Sequence, residues 1–347
     1  MAEVREPDIS SLVDEVLKRL GTPASVGAGD PLTRVPRTRP SSTAGPVYPT
    51  VNDAVAAAKA AQPVFQELGL EKRREIVQAM RDAGMRHAVS LAKFAREETG
   101  LGRWEHKVKK NVLVSLKTPG PEDLEPLVWT GDHGMTLVDR APFGVVGAVT
   151  PTTNPTSTII NNAISILSAG NAVVFAPHPS ARRCCQETMR ILTEAIAPLG
   201  APRGLIACAE TASIENANAL FGHPDVDMIL VTGGHAVAKA AMQKSGKKVI
   251  AAGPGNPPVV VDEHADLEVA ARGIVDGASF DNCVLCTGEK EVFVVASVAD
   301  TLFALIRKDP RAHELTKLQM DSLGKKMFLK DEKSGELMMN RNLVGRN

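Results

Sequence analysis

The chain has 347 residues, of which 44% are hydrophobic and 23% charged, a length that favours two domains and a composition able to fill their cores. Lys plus Arg number 40 and Asp plus Glu number 40, so the formal net charge is zero. The basic excess of a nucleic-acid binder or polybasic membrane protein is absent, and 3% aromatics leave little for stacking on single strands.

No apolar run approaches the ~20 residues that span a bilayer. The acidic, polar start over residues 1–8 lacks the basic and apolar regions of a secretion signal. The chain has five cysteines, and the adjacent Cys184 and Cys185 are poorly placed for a disulfide. The expectation is reduced thiols in a cytosolic protein, one of them catalytic or all of them inert.

In chain order, Ile9, Leu12, Val13, Val16, Leu17 and Leu20 form one apolar stripe of a helix over residues 8–21, with Asp8 as N-cap and Gly21 as its stop. Proline and glycine then punctuate a linker through residue 46. Such a helix either docks on its own domain or a neighbouring subunit, or lies in a groove on a partner; pattern alone leaves both open. Helices are expected over 51–68, 71–98 and 104–116, followed by an irregular stretch over 119–140 that is extended near 135–138. The small and β-branched run 144–149 reads as a buried parallel strand. Helix 157–169, strand 172–176, helix 182–196, strand 205–208, helix 214–221, strand 228–231, helix 236–245 and strand 248–251 follow. Five strands alternating with helices predict an α/β parallel sheet covered on both faces. A second α/β unit is expected from strand 258–261, helix 267–278, strand 291–296 and helix 298–308.

Ligands of open parallel sheets sit beyond the carboxyl ends of the strands. Three loops at those ends are unusual. Thr150-Pro151-Thr152-Thr153-Asn154 is rich in hydroxyls and amides. Pro177-His178-Pro179-Ser180 holds an imidazole between prolines, and Thr232-Gly233-Gly234 lets a backbone approach a ligand at a helix start. There is no G-x-G-x-x-G after the first strand, so a dinucleotide would be held without that turn. Cys283-Val284-Leu285-Cys286 suits a metal half-site, a redox pair, a single catalytic thiol or an inert packed cysteine. No second Cys/His pair completes a metal site, and the stretch follows a helix and precedes a strand, unlike a redox motif.

Together with Glu98-Thr99-Gly100-Leu101-Gly102, Pro142-Phe143-Gly144, Ser168-Ala169-Gly170-Asn171, Ala252-Gly253-Pro254-Gly255-Asn256 and Gly277-Ala278-Ser279-Phe280-Asp281, these loops resemble the aldehyde dehydrogenase superfamily. Within it, the chain resembles the CoA-acylating propionaldehyde and acetaldehyde dehydrogenases of bacterial microcompartments. The resemblance runs from residue 47 to the end. It implies a Rossmann-like parallel-sheet domain plus a second, truncated α/β catalytic domain. The implied division is a targeting helix over 1–21, a linker over 22–46, a dinucleotide-binding domain over 47–255 with part of an oligomerisation arm near 119–140, and an incomplete catalytic domain over 256–347.

The resemblance further implies NAD as cofactor, coenzyme A as co-substrate, no metal, and Cys286 as the nucleophile that attacks an aldehyde. An oxyanion would be held by the Cys286 N–H and an amide of the Thr153-Asn154 loop, with Asn154 preferred over Thr153. Cofactor contacts would come from Thr150, Pro151, Thr152, Thr153, His178, Pro179, Ser180, Thr232, Gly233, Gly234, Ala251, Ala252 and Gly253. Ala251 stands where hydrolytic relatives carry a Glu that activates water, and an alanine accepts no proton. His178 stands where they carry a cofactor-binding Lys. Cys283 is an extra thiol beside the nucleophile, and Val284-Leu285 replaces a Leu-Pro pair of many relatives. The implied partners are a short-chain aldehyde, further copies of the chain, and a microcompartment shell protein bound through residues 8–21. No nucleic acid or membrane is implied, and the expected location is the bacterial cytoplasm, in a microcompartment lumen. The rival expectations are a hydrolytic NAD-dependent aldehyde dehydrogenase and an inactive lumen or scaffold protein.

Overall fold

The computed structural model describes residues 45–330 and 335–346. The helix expected over 8–21 and nearly all of the linker over 22–46 lie outside the described residues. The chain divides into two compact units. One holds the described residues up to Thr99 together with Lys107–Gly253; the other holds Gly100–His106 and the described residues from Pro254 onward.

The first unit begins with the two-residue strand β1 (Val47–Tyr48) and helix α1 (Val51–Glu67). Thr50 caps α1: its hydroxyl accepts from the Asp53 N–H while the Asp53 carboxylate accepts from the Thr50 N–H, a reciprocal capping box. The single long helix expected over 71–98 is two helices, α2 (Gly69–Arg86) and α3 (Ala88–Thr99). His87 leaves helical geometry at φ −102° and ψ 8°, and its carbonyl restarts the ladder by accepting from the Leu91 N–H. An apolar stripe tolerates such a break, because both segments still bury the same side of the chain. Helix α4 (Trp104–Lys117) follows. The stretch 119–140, expected to be irregular, folds after a short 3-10 turn into the antiparallel hairpin β2 (Leu127–Gly131) and β3 (Gly134–Val138), exposed at every residue.

The sheet proper adds β4 (Val145–Val149), helix α5 (Pro155–Ser168), β5 (Ala172–Ala176), helix α6 (Arg182–Ile196), β6 (Ile206–Ala209), helix α7 (Ile214–Gly222), β7 (Met228–Thr232), helix α8 (His235–Lys244) and β8 (Lys248–Ala252). Its six strands run in the order β1-β6-β5-β4-β7-β8, all parallel, one more strand than the alternation of longer runs reveals. Every residue of β4 is buried. A side chain at Gly147 would press on Ile229 and Leu220 at 3.0 Å, so the smallest residue sits where neighbours close in. The start of β4 is pinned by two side chains: Asn171 Oδ1 accepts from the Phe143 and Gly144 N–H groups, and Asp227 Oδ2 from Val145 N–H at 2.8 Å. From β4 the chain winds outward through β5 and β6, then returns to the other side through β7 and β8. Helices α2, α3, α5 and α6 pack together on one face, and α1, α7 and α8 on the other. The strand order therefore reverses between β4 and β7, and it is beyond the carboxyl ends at such a reversal that open parallel sheets bind ligands.

The second unit holds the parallel pair β9 (Pro258–Val261) and β10 (Glu291–Val294), with α9 (Leu267–Ser279) and α10 (Ala296–Lys308) packed together. Its small core is Val261, Ala271, Ile274 and Leu302. Asp266 caps α9 by accepting from the Glu268 and Val269 N–H groups. Beyond the expected elements lie α11 (Lys317–Met327), capped by Thr316, and the exposed hairpin β11 (Phe328–Lys330) and β12 (Leu337–Met339). Among the described residues no helix is long and apolar enough to cross a membrane.

Candidate active site

The structure sets the loops after β4 and β7 side by side at the reversal of strand order. Thr150 is buried; its N–H donates to the Ala176 carbonyl and its hydroxyl lies 4.0 Å from Cys185 Sγ. Pro151, Thr152, Thr153 and Asn154 are half-buried. Asn154 starts α5, with Pro155 supplying a first helical residue that needs no N–H partner. After β7, Gly233 donates to the Ala252 carbonyl at 3.1 Å, which joins the Thr232–Gly234 turn to the end of β8. Helix α8 then begins at Gly234 without a side-chain cap, and the side of Gly234 that would carry a Cβ is open space. Its first N–H groups are available to an anion.

After β5, His178 Nδ1 accepts from the Ser180 N–H at 3.1 Å. That bond requires an unprotonated Nδ1 and so places the neutral ring's proton on Nε2. Desolvation by surrounding protein atoms lowers the imidazole pKa from its ordinary value even though the residue is largely exposed, which favours the neutral ring. Ala251 and Ala252 end the exposed edge strand β8, and Gly253 follows it.

The loop's supports include two groups the sequence reading missed. Lys107 and Lys110 of α4 are buried; Lys107 Nζ donates to the Thr153 carbonyl at 3.0 Å, and Lys110 Nζ to Asn154 Oδ1 at 2.6 Å. The signal in the sequence was faint. Lys107, Asn111 and Ser115 share one helical row that is buried, yet the same letters serve equally well on a solvated face.

In the second unit the loop bearing Cys286 hangs from an unusual turn. Asp281, Asn282 and Cys283 have φ values of 51°, 54° and 57°, a left-handed run that Asp and Asn tolerate better than most residues. Several bonds hold it there. The Asp281 carboxylate accepts from the Arg103 N–H at 2.6 Å, and the Asp281 N–H donates to His106 Nδ1 at 2.7 Å. The His106 ring stacks on Phe280 with centroids 4.5 Å apart. Gly102 is forced by the close approach of the Asp281 carboxylate. Lys290 Nζ gathers the loop by donating to the Leu285 and Gly288 carbonyls at 3.1 Å each, and it lies 3.4 Å from the exposed Cys283 Sγ.

Cys286 is half-buried, and among the described residues no acceptor takes its backbone N–H. Its thiol and an unspent donor therefore project from the same residue. The remaining thiols differ in kind. Cys184, Cys185 and Cys208 are buried; the neighbouring Cys185 and burial push Cys184 well up, and burial pushes Cys208 up to about 12. Among the described residues no group of three or more His, Cys, Asp and Glu side chains could hold a metal ion.

Comparison with known proteins bears on these two sets of residues. The model of the Aldehyde dehydrogenase family matches residues 43–321. The acetylating acetaldehyde dehydrogenase of Salmonella typhimurium is 46% identical over 300 residues, covering 86% of this chain and 64% of that protein. The CoA-propanoylating propanal dehydrogenase of Citrobacter freundii is 42% identical over 256 residues, covering 74% of this chain and 55% of that protein. Among solved structures, Rhodopseudomonas palustris propionaldehyde dehydrogenase with bound propionyl-CoA aligns with a TM-score of 0.78 at 45% identity, over 82% of this chain and 63% of that one. A propionaldehyde dehydrogenase from the Clostridium phytofermentans fucose utilisation bacterial microcompartment aligns with a TM-score of 0.81 at 40% identity, over 87% and 68%. The chain thus spans less than two thirds of the length of both curated relatives.

Proposed function

The chain belongs to the aldehyde dehydrogenase family, and from that premise we propose that it serves the CoA-acylating oxidation of a short-chain aldehyde with NAD+. The observation that carries the reading is Cys286, a half-buried thiol whose own N–H is unspent, because acyl transfer needs a nucleophile and an oxyanion donor together. The relative from R. palustris has also been solved with CoA and an acylated cysteine, which supports a thiol-borne acyl group here.

The residues at the strand reversal would accommodate a dinucleotide. The reversal itself, the uncapped start of α8 and the open side of Gly234 suit a pyrophosphate. Thr150–Thr153, His178–Ser180, Thr232–Gly234 and Ala251–Gly253 would hold it, the Nε2–H of His178 offering a donor to a ribose hydroxyl. NAD+ supplies the hydride acceptor when bound.

The work of the chain's residues then follows. Cys286 gives its thiol proton to solvent and Sγ bonds to the aldehyde carbon, the carbonyl π pair moving to oxygen to give a thiohemiacetal oxyanion that accepts from the Cys286 N–H. We assign the second donor to the Asn154 carboxamide. Loss of hydride from that carbon leaves an acyl thioester on Cys286. Ala251 offers no base to a water molecule, so the thioester persists until the thiol of coenzyme A attacks it. The bond between the acyl carbon and Cys286 Sγ breaks, acyl-CoA leaves, and the proton given up by the CoA thiol restores the Cys286 thiol.

The same reading makes residues 47–255 the nucleotide domain and residues from 256 the catalytic one. It assigns the exposed β2–β3 hairpin to contact with further copies of the chain, supported by the exposed Trp129, Met135 and Leu137. Residues 8–21 are proposed to dock on a shell protein in a microcompartment lumen, supported by their apolar stripe and by a microcompartment enzyme among the relatives. Deleting 1–21 should then abolish co-purification with shell proteins at unchanged turnover; the opposite pattern would count against the assignment.

Product analysis of aldehyde turnover with and without CoA tests the central reading. Acyl-CoA should form only with CoA present, and Cys286→Ala should form none. Equal NADH from wild type and Cys286→Ala removes the assigned nucleophile. Acid formed equally fast without CoA returns the hydrolytic reading, and no NADH under either condition favours a lumen or scaffold role. Ala251→Glu should raise CoA-independent acid formation.

A further inference from the structure

Asn154 occupies the N-cap of α5, where an asparagine side chain ordinarily accepts from the first-turn N–H groups. Here it makes no capping bond. Its Oδ1 accepts instead from Lys110 Nζ at 2.6 Å, and its Nδ2 donates to Thr153 Oγ1 at 3.2 Å. A carboxamide carries two N–H donors. The second finds no acceptor among the described residues. A residue type suited to capping has been withdrawn from that task, a departure from local rule that marks a functional or strained position.

The support beneath it is costly to build. Lys110 is 8% exposed, and Lys107, one turn earlier, is 2% exposed with its Nζ on the Thr153 carbonyl. Residues at i and i+3 share a helix face, so α4 aims two long side chains at consecutive residues of one turn. Lysines are seldom buried to that extent without a specific partner. Asn111, on the same face, accepts from Thr156 Oγ1 and donates to the Ala88 carbonyl, both at 2.9 Å, which fixes α4 against the first turn of α5. The arrangement also decides which end of the carboxamide is presented. A flipped Asn154 would set its NH2 against the donor of Lys110. With Oδ1 held, the spare Nδ2–H is the group offered, and a donor on Oδ1 strengthens it by polarising the amide.

We infer that Lys110 is a positioning residue, holding Asn154 Oδ1 so that the free Nδ2–H meets the substrate carbonyl oxygen as it gains negative charge. The inference rests on the assignment of Asn154 proposed above.

The test uses Lys110→Met, Lys110→Arg, Asn154→Ala and the Lys110→Met/Asn154→Ala double variant. Lys110→Met, of similar length without a donor, should lower kcat about 10- to 100-fold while the KM for aldehyde and for NAD+ stays near wild type. Lys110→Arg should restore most of the rate. In the Asn154→Ala background, Lys110→Met should cost little more, because it acts through the group already removed. Additive losses, or Lys110→Met at the wild-type rate, overturn the inference.

A second readout needs no turnover. In protein labelled with 15N-asparagine, the carboxamide signal of residue 154 is identified by its loss in Asn154→Asp. Lys110→Met should shift that signal and speed its hydrogen exchange at least about tenfold, with Lys110→Arg restoring it. An unchanged signal overturns the role of Lys110 whatever the enzyme does. Wild-type protein that makes no acyl-CoA overturns the proposed function instead and leaves the carboxamide signal to decide on Lys110.

Discussion

Replacing Gly255 by alanine probes the loop bearing Cys286 where it meets another stretch of backbone. The Gly255 backbone lies against the Cys286 carbonyl, and an added Cβ would fall well inside the 3.0 Å that such atoms keep from non-bonded neighbours. The obstructing atom belongs to the backbone, so no rotamer change relieves it. The loop bearing Cys286 must therefore move by roughly 1 Å; if Cys286 has its proposed role, a misplacement of that size at a reacting group costs about 10²-fold in rate, or about 2.7 kcal/mol on the barrier. Overpacking should also cost about 1–3 kcal/mol of stability. Aldehyde-dependent NADH formation gives kcat/KM, urea unfolding gives the stability, and iodoacetamide alkylation in a Cys283→Ser background reports the accessibility of Cys286 without turnover. Gly273→Ala is the matched control: nothing lies within 4 Å of its added Cβ, in the interior of α9. It should gain up to about 1 kcal/mol from helix propensity at an unchanged rate. Wild-type kcat/KM and alkylation in Gly255→Ala would refute the placement of the loop against Gly255.

Thiol titration should separate the cysteines: of the chain's five, Cys283 and Cys286 should react promptly in the native protein, and all five after denaturation. Cys286→Ala should leave one prompt thiol; three or more prompt native thiols would contradict the burial of Cys184, Cys185 and Cys208. Stability should also fall at alkaline pH. Cys208 keeps its proton in the folded state up to about 12, whereas in the unfolded chain it ionises near its ordinary value of 9.0, so its contribution is complete below 9.0 and lost as pH rises toward 12. The limiting slope is about 1.4 kcal/mol per pH unit for one thiol, and Cys208→Ala should flatten the decline measured by urea unfolding. Asp281→Ala removes the acceptor of the Arg103 N–H at a residue with φ 51°, and should cost roughly 2–4 kcal/mol by the same assay. Asp281→Asn keeps an acceptor and tolerates that backbone, so its loss should be smaller; equal losses would exclude both causes.

Some of this was legible in single letters of the chain. The run Val145–Val149 announced a strand buried on both faces, because only small and β-branched side chains fit a sheet covered twice. The loops after β4, β5 and β7 stood out by composition, and the Cys283–Cys286 stretch by its two thiols three residues apart. Val47–Tyr48 escaped notice, since two residues carry no period, and their strand exists only because β6 offers an edge. The break at His87 was equally silent. The wheel of α2 and α3 reads continuously, while the turn between them is set by what each helix packs against.

Hydrophobic period and turn chemistry are local properties, and so the alternation of strands and helices and the unusual loops at strand ends could be taken from the amino-acid order alone, while Cys286 was singled out by family resemblance. The strand order that reverses between β4 and β7 could not, because it depends on pairings between distant segments. Nor could the burial of Lys110 against Asn154, 44 residues away, or the left-handed turn at Asp281–Cys283 held by Arg103 and His106. A lysine reads as surface until folding closes other chain around it, and a strained backbone persists only when contacts from elsewhere outweigh its cost.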